Sequence, residues 1–157
     1  MRIAIGSDHR GYRLKQRLAQ WLNERDIRFH DFGCLGERQV DYPDVAIQVA
    51  RAVAQGDYDH GILVCGTGIG MSITANKVPG IRAALCHSIF MARMAREHND
   101  ANVLCMGGDV VGADLALEIA RTYLESTFQG ERHARRVGKI AAFEARVREM
   151  EGRTAED

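Results

Sequence analysis

The chain carries no net charge: 21 Lys and Arg residues balance 21 Asp and Glu residues. Nucleic-acid and membrane-surface binders draw affinity from a basic excess, so neither role is expected here; a local basic cluster remains compatible with zero net charge. No window is long and apolar enough to span a bilayer. The start MRIAIGSDHRGYRLK lacks the pattern of a secretion signal, because Asp8 and His9 interrupt its one short apolar run. The four cysteines, Cys34, Cys65, Cys86 and Cys105, show no CxxC spacing, which argues against disulfides and a structural zinc site. A reducing cytoplasm is the expected setting. Low-complexity segments, internal repeats and a domain boundary are also missing, so the 157 residues are expected to form a single domain over 1–152, with a frayed tail over 153–157.

What is present is alternation. Short β-rich runs (RIAIGS, IRFHDFG, HGILVCG, IRAALC, ANVLCMGG) are each followed by an amphipathic stretch. Leu14, Leu18, Trp21 and Leu22 share one helical face, and Val45, Val49, Ala52 and Val53 share another. HGILVCG is apolar at successive positions, as suits a central strand covered on both sides. The helix after it is expected from near Gly70 to about Asn76. A long charged helix, GERHARRVGKIAAFEARVREME, closes the chain. The pattern predicts an α/β fold: a Rossmann-like, doubly wound, five-stranded parallel sheet with helices on both faces and a long C-terminal helix.

Such sheets bind ligands at the carboxyl ends of their strands, near the point where strand order reverses. The chemically able residues gather around strand ends. The first strand ends in Ser7-Asp8-His9, the third in Cys65-Gly66-Thr67-Gly68 and the fifth in Gly107-Gly108-Asp109. His98-Asn99-Asp100 closes the fourth helix, just before the fifth strand. The topology is expected to bring most of these to one edge.

Each feature has a plain reading and a sharper one. The run GTGIG lacks the GK[ST] end of a P-loop and the spacing of a dinucleotide fingerprint. Its glycines fit a tight strand-to-helix turn, and equally a backbone cradle for a ligand at a helix N-terminus. Cys65 is either a buried inert thiol or a base activated by that helix N-terminus; Cys34, Cys86 and Cys105 take the inert reading more readily. Asp8 suits a helix cap, and with His9 an acid–base pair facing a polar ligand. His98 and Asn99 suit a helix C-cap or a second proton-transfer group. Arg132 and Arg136, four apart on one face, read as a solvated helix side or as a phosphate clamp, with His133 adjacent.

Taken together, IGSDHRGYRLK, VDYPDVA, GILVCGTGIGMSITANKVPGIRAALC, AREHNDANVLCMGGDVVG and GERHARRV resemble the ribose-5-phosphate isomerase type B family, which includes galactose-6-phosphate isomerase subunits. The likeness runs from about Met1 to Ala145. It implies an aldose–ketose isomerase of the pentose phosphate pathway that interconverts ribose 5-phosphate and ribulose 5-phosphate through a cis-enediolate, with no metal or cofactor. By this resemblance Cys65 is the C2 base. Met71 occupies the place of the glutamate base of another branch and cannot take a proton. Thr67 and the amides from Gly66 through Gly68 to Gly70 would hold the enediolate. His98 would open the ring, with Asp8 assisting or holding a hydroxyl. Asn99 would bond the sugar, Tyr42 would lie near the substrate, and Arg132 and Arg136 with His9 would take the phosphate. Family members are dimers or tetramers with sites shared between subunits, which implies a homodimer or dimer of dimers here. Asp109 departs from the pattern, since many members have an arginine there; an aspartate repels a phosphate unless it turns away or holds a neighbouring arginine. A hexose 6-phosphate or tetrose phosphate substrate, a non-catalytic phosphosugar- or nucleotide-binding module, and a structural subunit of a hetero-oligomeric isomerase are the competing readings.

Overall fold

The structure, a computed structural model, describes residues 1–36 and 38–154. Its elements run β1 (Arg2–Ser7), α1 (Tyr12–Asn23), β2 (Arg28–Asp31), α2 (Tyr42–Ala54), β3 (His60–Cys65), α3 (Ile69–Ala75), β4 (Ala83–Leu85), α4 (Ile89–Asn99), β5 (Val103–Gly107), α5 (Ala113–Glu125) and α6 (Glu131–Thr154). The strands form one sheet in the order β2-β1-β3-β5-β4, and every pairing is parallel. The chain moves from β1 outward to β2, then crosses to the other side of β1 to lay down β3. The order therefore reverses between β1 and β3.

Burial follows strand position. After their first residue, β1 and β3 are buried at every position, and β5 is buried throughout. β2, at one edge, alternates between exposed and half-buried. A central parallel strand is covered on both faces and so needs a continuous apolar run, which is what HGILVC and VLCMG supply. One core packs α1, α4 and α5 on the sheet through Ile5, Leu18, Ile62, Leu104 and Ile119; the other packs α2 and α3 through Val49, Leu63, Met71 and Cys105. The expected faces of α1 and α2 are the buried ones.

Lys15 is a departure from ordinary helix patterning: it lies on the apolar face of α1 with none of its side chain exposed. Its Nζ donates to both carboxylate oxygens of Asp31, at 2.6 and 2.5 Å, and to the Cys34 carbonyl at 2.6 Å. Asp31 also accepts the Gly33 N–H at 2.9 Å. Burying a charge is costly unless it is paired and hydrogen-bonded, and here both conditions hold. The pair fastens the end of β2 to α1, the Lys15 bond to Cys34 O fastens the segment that follows, and Ser7 N–H to Gly33 O and Cys34 N–H to Ser7 O, both 2.7 Å, tie that segment to the end of β1.

Two boundaries differ from expectation. α3 begins at Ile69 because Gly68, in a left-handed conformation with φ of 78°, turns the chain directly out of β3. α6 continues to Thr154, two residues into the stretch expected to fray, and 155–157 lie outside the described residues.

His60, at the start of β3, has its pKa lowered from 6.5 to about 4, first by burial and then by the nearby Arg96. A histidine that resists protonation when folded, but not when unfolded, stabilises the fold above pH 6.5; that contribution is lost as pH falls toward 4. We expect wild-type urea stability to fall relative to His60→Gln by about 1 kcal/mol per pH unit in that window. Parallel profiles for the two proteins would disprove it.

Candidate active site

The carboxyl ends of β1, β3 and β5 meet at one edge of the sheet. Gly108 N–H donates to Cys65 O at 2.8 Å and Asp109 N–H to Gly66 O at 3.0 Å, so the β3–β5 pairing extends into the two loops beyond the strands. Asp8 N–H donates to Val64 O at 3.2 Å and ties in the β1 loop.

Cys65 ends β3 and is 5% exposed. Its Sγ accepts the Gly68 N–H at 3.1 Å. The thiol is therefore seated against the start of α3, where backbone N–H groups lack helical partners. The other cysteines are placed differently. Burial raises Cys86 to about 11 and Cys105 well above its ordinary value, while Cys34 Sγ donates to the Gly36 carbonyl at 2.6 Å. Thr67, on the exposed crest of the loop, accepts the Ile69 N–H at 3.3 Å.

Two glycines are required by the shape of this loop. A side chain at Gly68 would meet the Met106 backbone at 2.8 Å besides occupying a left-handed conformation. A Cβ at Gly70 would lie 2.6 Å from the Tyr42 ring, so Gly70 is what lets Tyr42, at the start of α2, lie over the loop.

Asp8, 5% exposed, accepts the Gly11 N–H at 2.9 Å, so its plain reading as a cap is met. His9 Nδ1 faces the Val40 main chain, 3.4 Å from its N and 3.3 Å from its O, which leaves Nε2 outside that contact. His87, which the sequence reading passed over, accepts the Gly107 N–H through Nε2 at 3.1 Å. The available signal was its place just beyond the fourth strand. Asp109 is ion-paired to Arg10. The aspartate that would have repelled an anion is thus held by a neighbouring arginine.

His98, Asn99, Arg132 and Arg136 are not at this edge. α4 runs antiparallel to the strands, so its end lies beside the starts of β4 and β5: Arg82 Nε, one residue before β4, donates to Asn99 O at 3.0 Å. A strand's length, roughly 15 Å, separates this edge from the Cys65 edge within one chain. Here a second cluster forms. His98 stacks on His133 with ring centroids 4.0 Å apart and planes 11° from parallel. Arg132 Nε donates to His133 Nε2 at 3.3 Å. His133 is 4% exposed, and its pKa is lowered by burial first, then by His98, Arg132 and Arg136. That direction favours the neutral ring, which is the form in which Nε2 can accept. In the sequence His133 is only a neighbour of the two arginines, because a charged run at a helix start looks solvated.

Among the described residues no group of three or more His, Cys, Asp or Glu side chains could hold a metal ion. No helix among the described residues is long and apolar enough to cross a membrane.

A thiol and a row of backbone donors at the switch point of a doubly wound sheet make this an α/β protein built to hold a small polar molecule. The chain belongs to the ribose/galactose isomerase family, whose model, described as Ribose/Galactose Isomerase, matches residues 3–140. It is 51% identical over 145 residues to the putative sugar phosphate isomerase YwlF of Bacillus subtilis, covering 92% of this chain and 97% of that one. It is 47% identical to ribose-5-phosphate isomerase B of Escherichia coli, with the same coverage. The solved structure of Clostridium thermocellum ribose-5-phosphate isomerase B superposes with a TM-score of 0.92 at 57% identity, covering 94% of this chain and 99% of that one.

Gly68→Ala is expected to lower stability by about 2 kcal/mol, the left-handed penalty plus the clash with Met106. Gly80, also left-handed but with nothing within 4 Å of its would-be Cβ, should lose only about 1 kcal/mol as Gly80→Ala. Equal losses in urea unfolding would show that the Met106 contact does not constrain the loop.

Proposed function

We propose that this chain is an aldose–ketose isomerase that interconverts ribose 5-phosphate and ribulose 5-phosphate, with Cys65 as the C2 base. The observation that carries the reading is the Cys65 thiol on the Gly68 N–H at the switch point, in a chain that matches the E. coli ribose-5-phosphate isomerase B nearly end to end.

The reaction has two parts. Ring opening removes the O1 proton, breaks the C1–O4 bond and delivers a proton to O4, leaving an aldehyde at C1. Isomerisation then takes the C2 proton onto Cys65 Sγ while the C1=O1 electrons move onto oxygen, giving a cis-enediolate. The thiol so formed returns that proton to C1 while the O2 hydroxyl proton passes to O1, leaving the ketone at C2 and a hydroxyl at C1. In this reading the Thr67 hydroxyl and the main-chain N–H groups between Gly66 and Gly70, other than those bonded to Cys65 Sγ and Thr67 Oγ1, hold the developing negative oxygen, and donors placed for that charge stabilise the transition state most. Asp8 holds a hydroxyl or assists ring opening; Tyr42 borders the sugar.

His98 acts on the ring oxygen, Asn99 holds the sugar, and Arg132 and Arg136 with His9 take the phosphate. For His98, Asn99 and the two arginines to meet Cys65, a second copy must supply them. This reading is supported by their place at the opposite sheet edge and by the exposed apolar residues of α6, Ile140, Phe143 and Val147, beside a groove of about 680 Å³ lined also by Ile81 and Asn99. The working unit is thus a homodimer, or a dimer of dimers, with two-chain sites. Each chain is one domain through 152, and its four free, buried cysteines suit a reducing cytoplasm.

A coupled assay of the purified protein against aldose phosphates tests the substrate. We expect turnover of ribose 5-phosphate; activity confined to a hexose 6-phosphate or a tetrose phosphate would replace it with that sugar. Cys65→Ala and His98→Asn should each be inactive as pure proteins. Mixed under conditions that exchange subunits, they should regain about a quarter of wild-type activity, because half the dimers are mixed and each mixed dimer has one intact site. No recovery, with mixed dimers demonstrated by mass spectrometry, would refute the shared site.

A further inference from the structure

We infer that Arg10 is a substrate-binding and specificity-determining residue of this chain: a guanidinium held by Asp109 above the thiol loop, which takes the anionic end of the substrate. The inference rests on the isomerase reading for the class of that substrate, a sugar phosphate.

Three loops converge to place it. Arg10 follows β1, Gly66 follows β3 and Asp109 follows β5. Arg10 Nη2 pairs with Asp109 Oδ2, and both side chains reach solvent, at 61% and 46% exposure. A Cβ built at Gly66 would lie 2.9 Å from Arg10 Nε, 3.0 Å from Arg10 Cζ and 2.9 Å from Asp109 Oδ2. The ion pair therefore rests directly on the residue after Cys65. Asp109 is rooted there by its own N–H, which donates to Gly66 O at 3.0 Å.

An ion pair this exposed contributes little to stability, so stability does not account for the arrangement. Its effect is geometric. Arginine has five N–H donors in a planar fork, and the carboxylate engages one edge of that fork. Another edge is left to solvent at the mouth of the site, in a shape that matches two oxygens of a phosphate. Asp109 orients the guanidinium and has its own charge neutralised by it, which turns a position hostile to anions into a support for an anion ligand. Arg10 also directly follows His9, the other group of this edge assigned to the phosphate, so the two side chains leave adjacent points of one loop.

The test is calorimetric titration of inorganic phosphate, and of ribose 5-phosphate, into the full-length wild type, Arg10→Gln, Arg10→Lys and the double variant Arg10→Gln/Asp109→Asn, with steady-state kinetics alongside. Losing one charge-assisted contact should weaken phosphate binding about tenfold in Arg10→Gln. KM should rise by a similar factor, more than kcat falls, and Arg10→Lys should recover part of the loss. Thermal midpoints should barely move, since the side chain is exposed. Wild-type phosphate affinity in Arg10→Gln overturns the inference. So does wild-type affinity in the double variant, because Arg10 would then matter only by neutralising Asp109. A wild type that shows the Arg10 dependence of phosphate binding yet isomerises no aldose phosphate refutes the isomerase reading instead.

Discussion

A parallel sheet has two unlike edges, and this polarity governs where chemistry can gather in the chain. Every strand points the same way, so β1, β3 and β5 all deliver their carboxyl ends to one side. Every helix that returns between strands must deliver its end to the other. Cys65 stands at the end of a strand, whereas His98 and Asn99 stand at the end of a helix. No side-chain rotation bridges the length of a strand. Two separate clusters per chain are the direct geometric result, one around Cys65 and one around His98 and His133.

At the strand-end edge the working surface is mostly backbone. Main chain holds main chain there: Gly68 N–H donates to Cys65 Sγ, the Met106 backbone lies behind Gly68, and the Gly108 and Asp109 N–H groups donate to the Cys65 and Gly66 carbonyls. Donors of this kind need no reorganisation when charge appears on a substrate oxygen. Close packing of main chain on main chain explains the density of glycine better than flexibility does: at Gly70 the space is taken by Tyr42.

The central strands were legible because HGILVC and VLCMG are unbroken apolar runs, and α1 and α2 because their stripes follow the helical period. The order in which the strands lie was not: nothing in periodicity says that β5 inserts between β3 and β4. The placement of Cys65 and Asp8 at strand ends was legible, since each follows directly on an apolar run. The burial of Lys15 was not, since a lysine on a helix reads as exposed until its partner Asp31 is known to lie opposite. Arg10 and Asp109 escaped as a pair for the same reason, being joined only by the convergence of distant loops. His133 was hidden by its surroundings, a run of arginines that looked solvated but folds one histidine inward against another.

The Lys15–Asp31 pair bears on how the site can move. Swinging the segment after β2 away from α1 would take the Cys34 carbonyl from an ammonium that has no exposed surface, a loss of about 1.5–3 kcal/mol for a hydrogen bond to a charged group. That segment leads to Val40, against which His9 rests, and to Tyr42, which covers Gly70. Its root, from Asp31 to Cys34, is therefore fastened both to the first helix and to the end of β1.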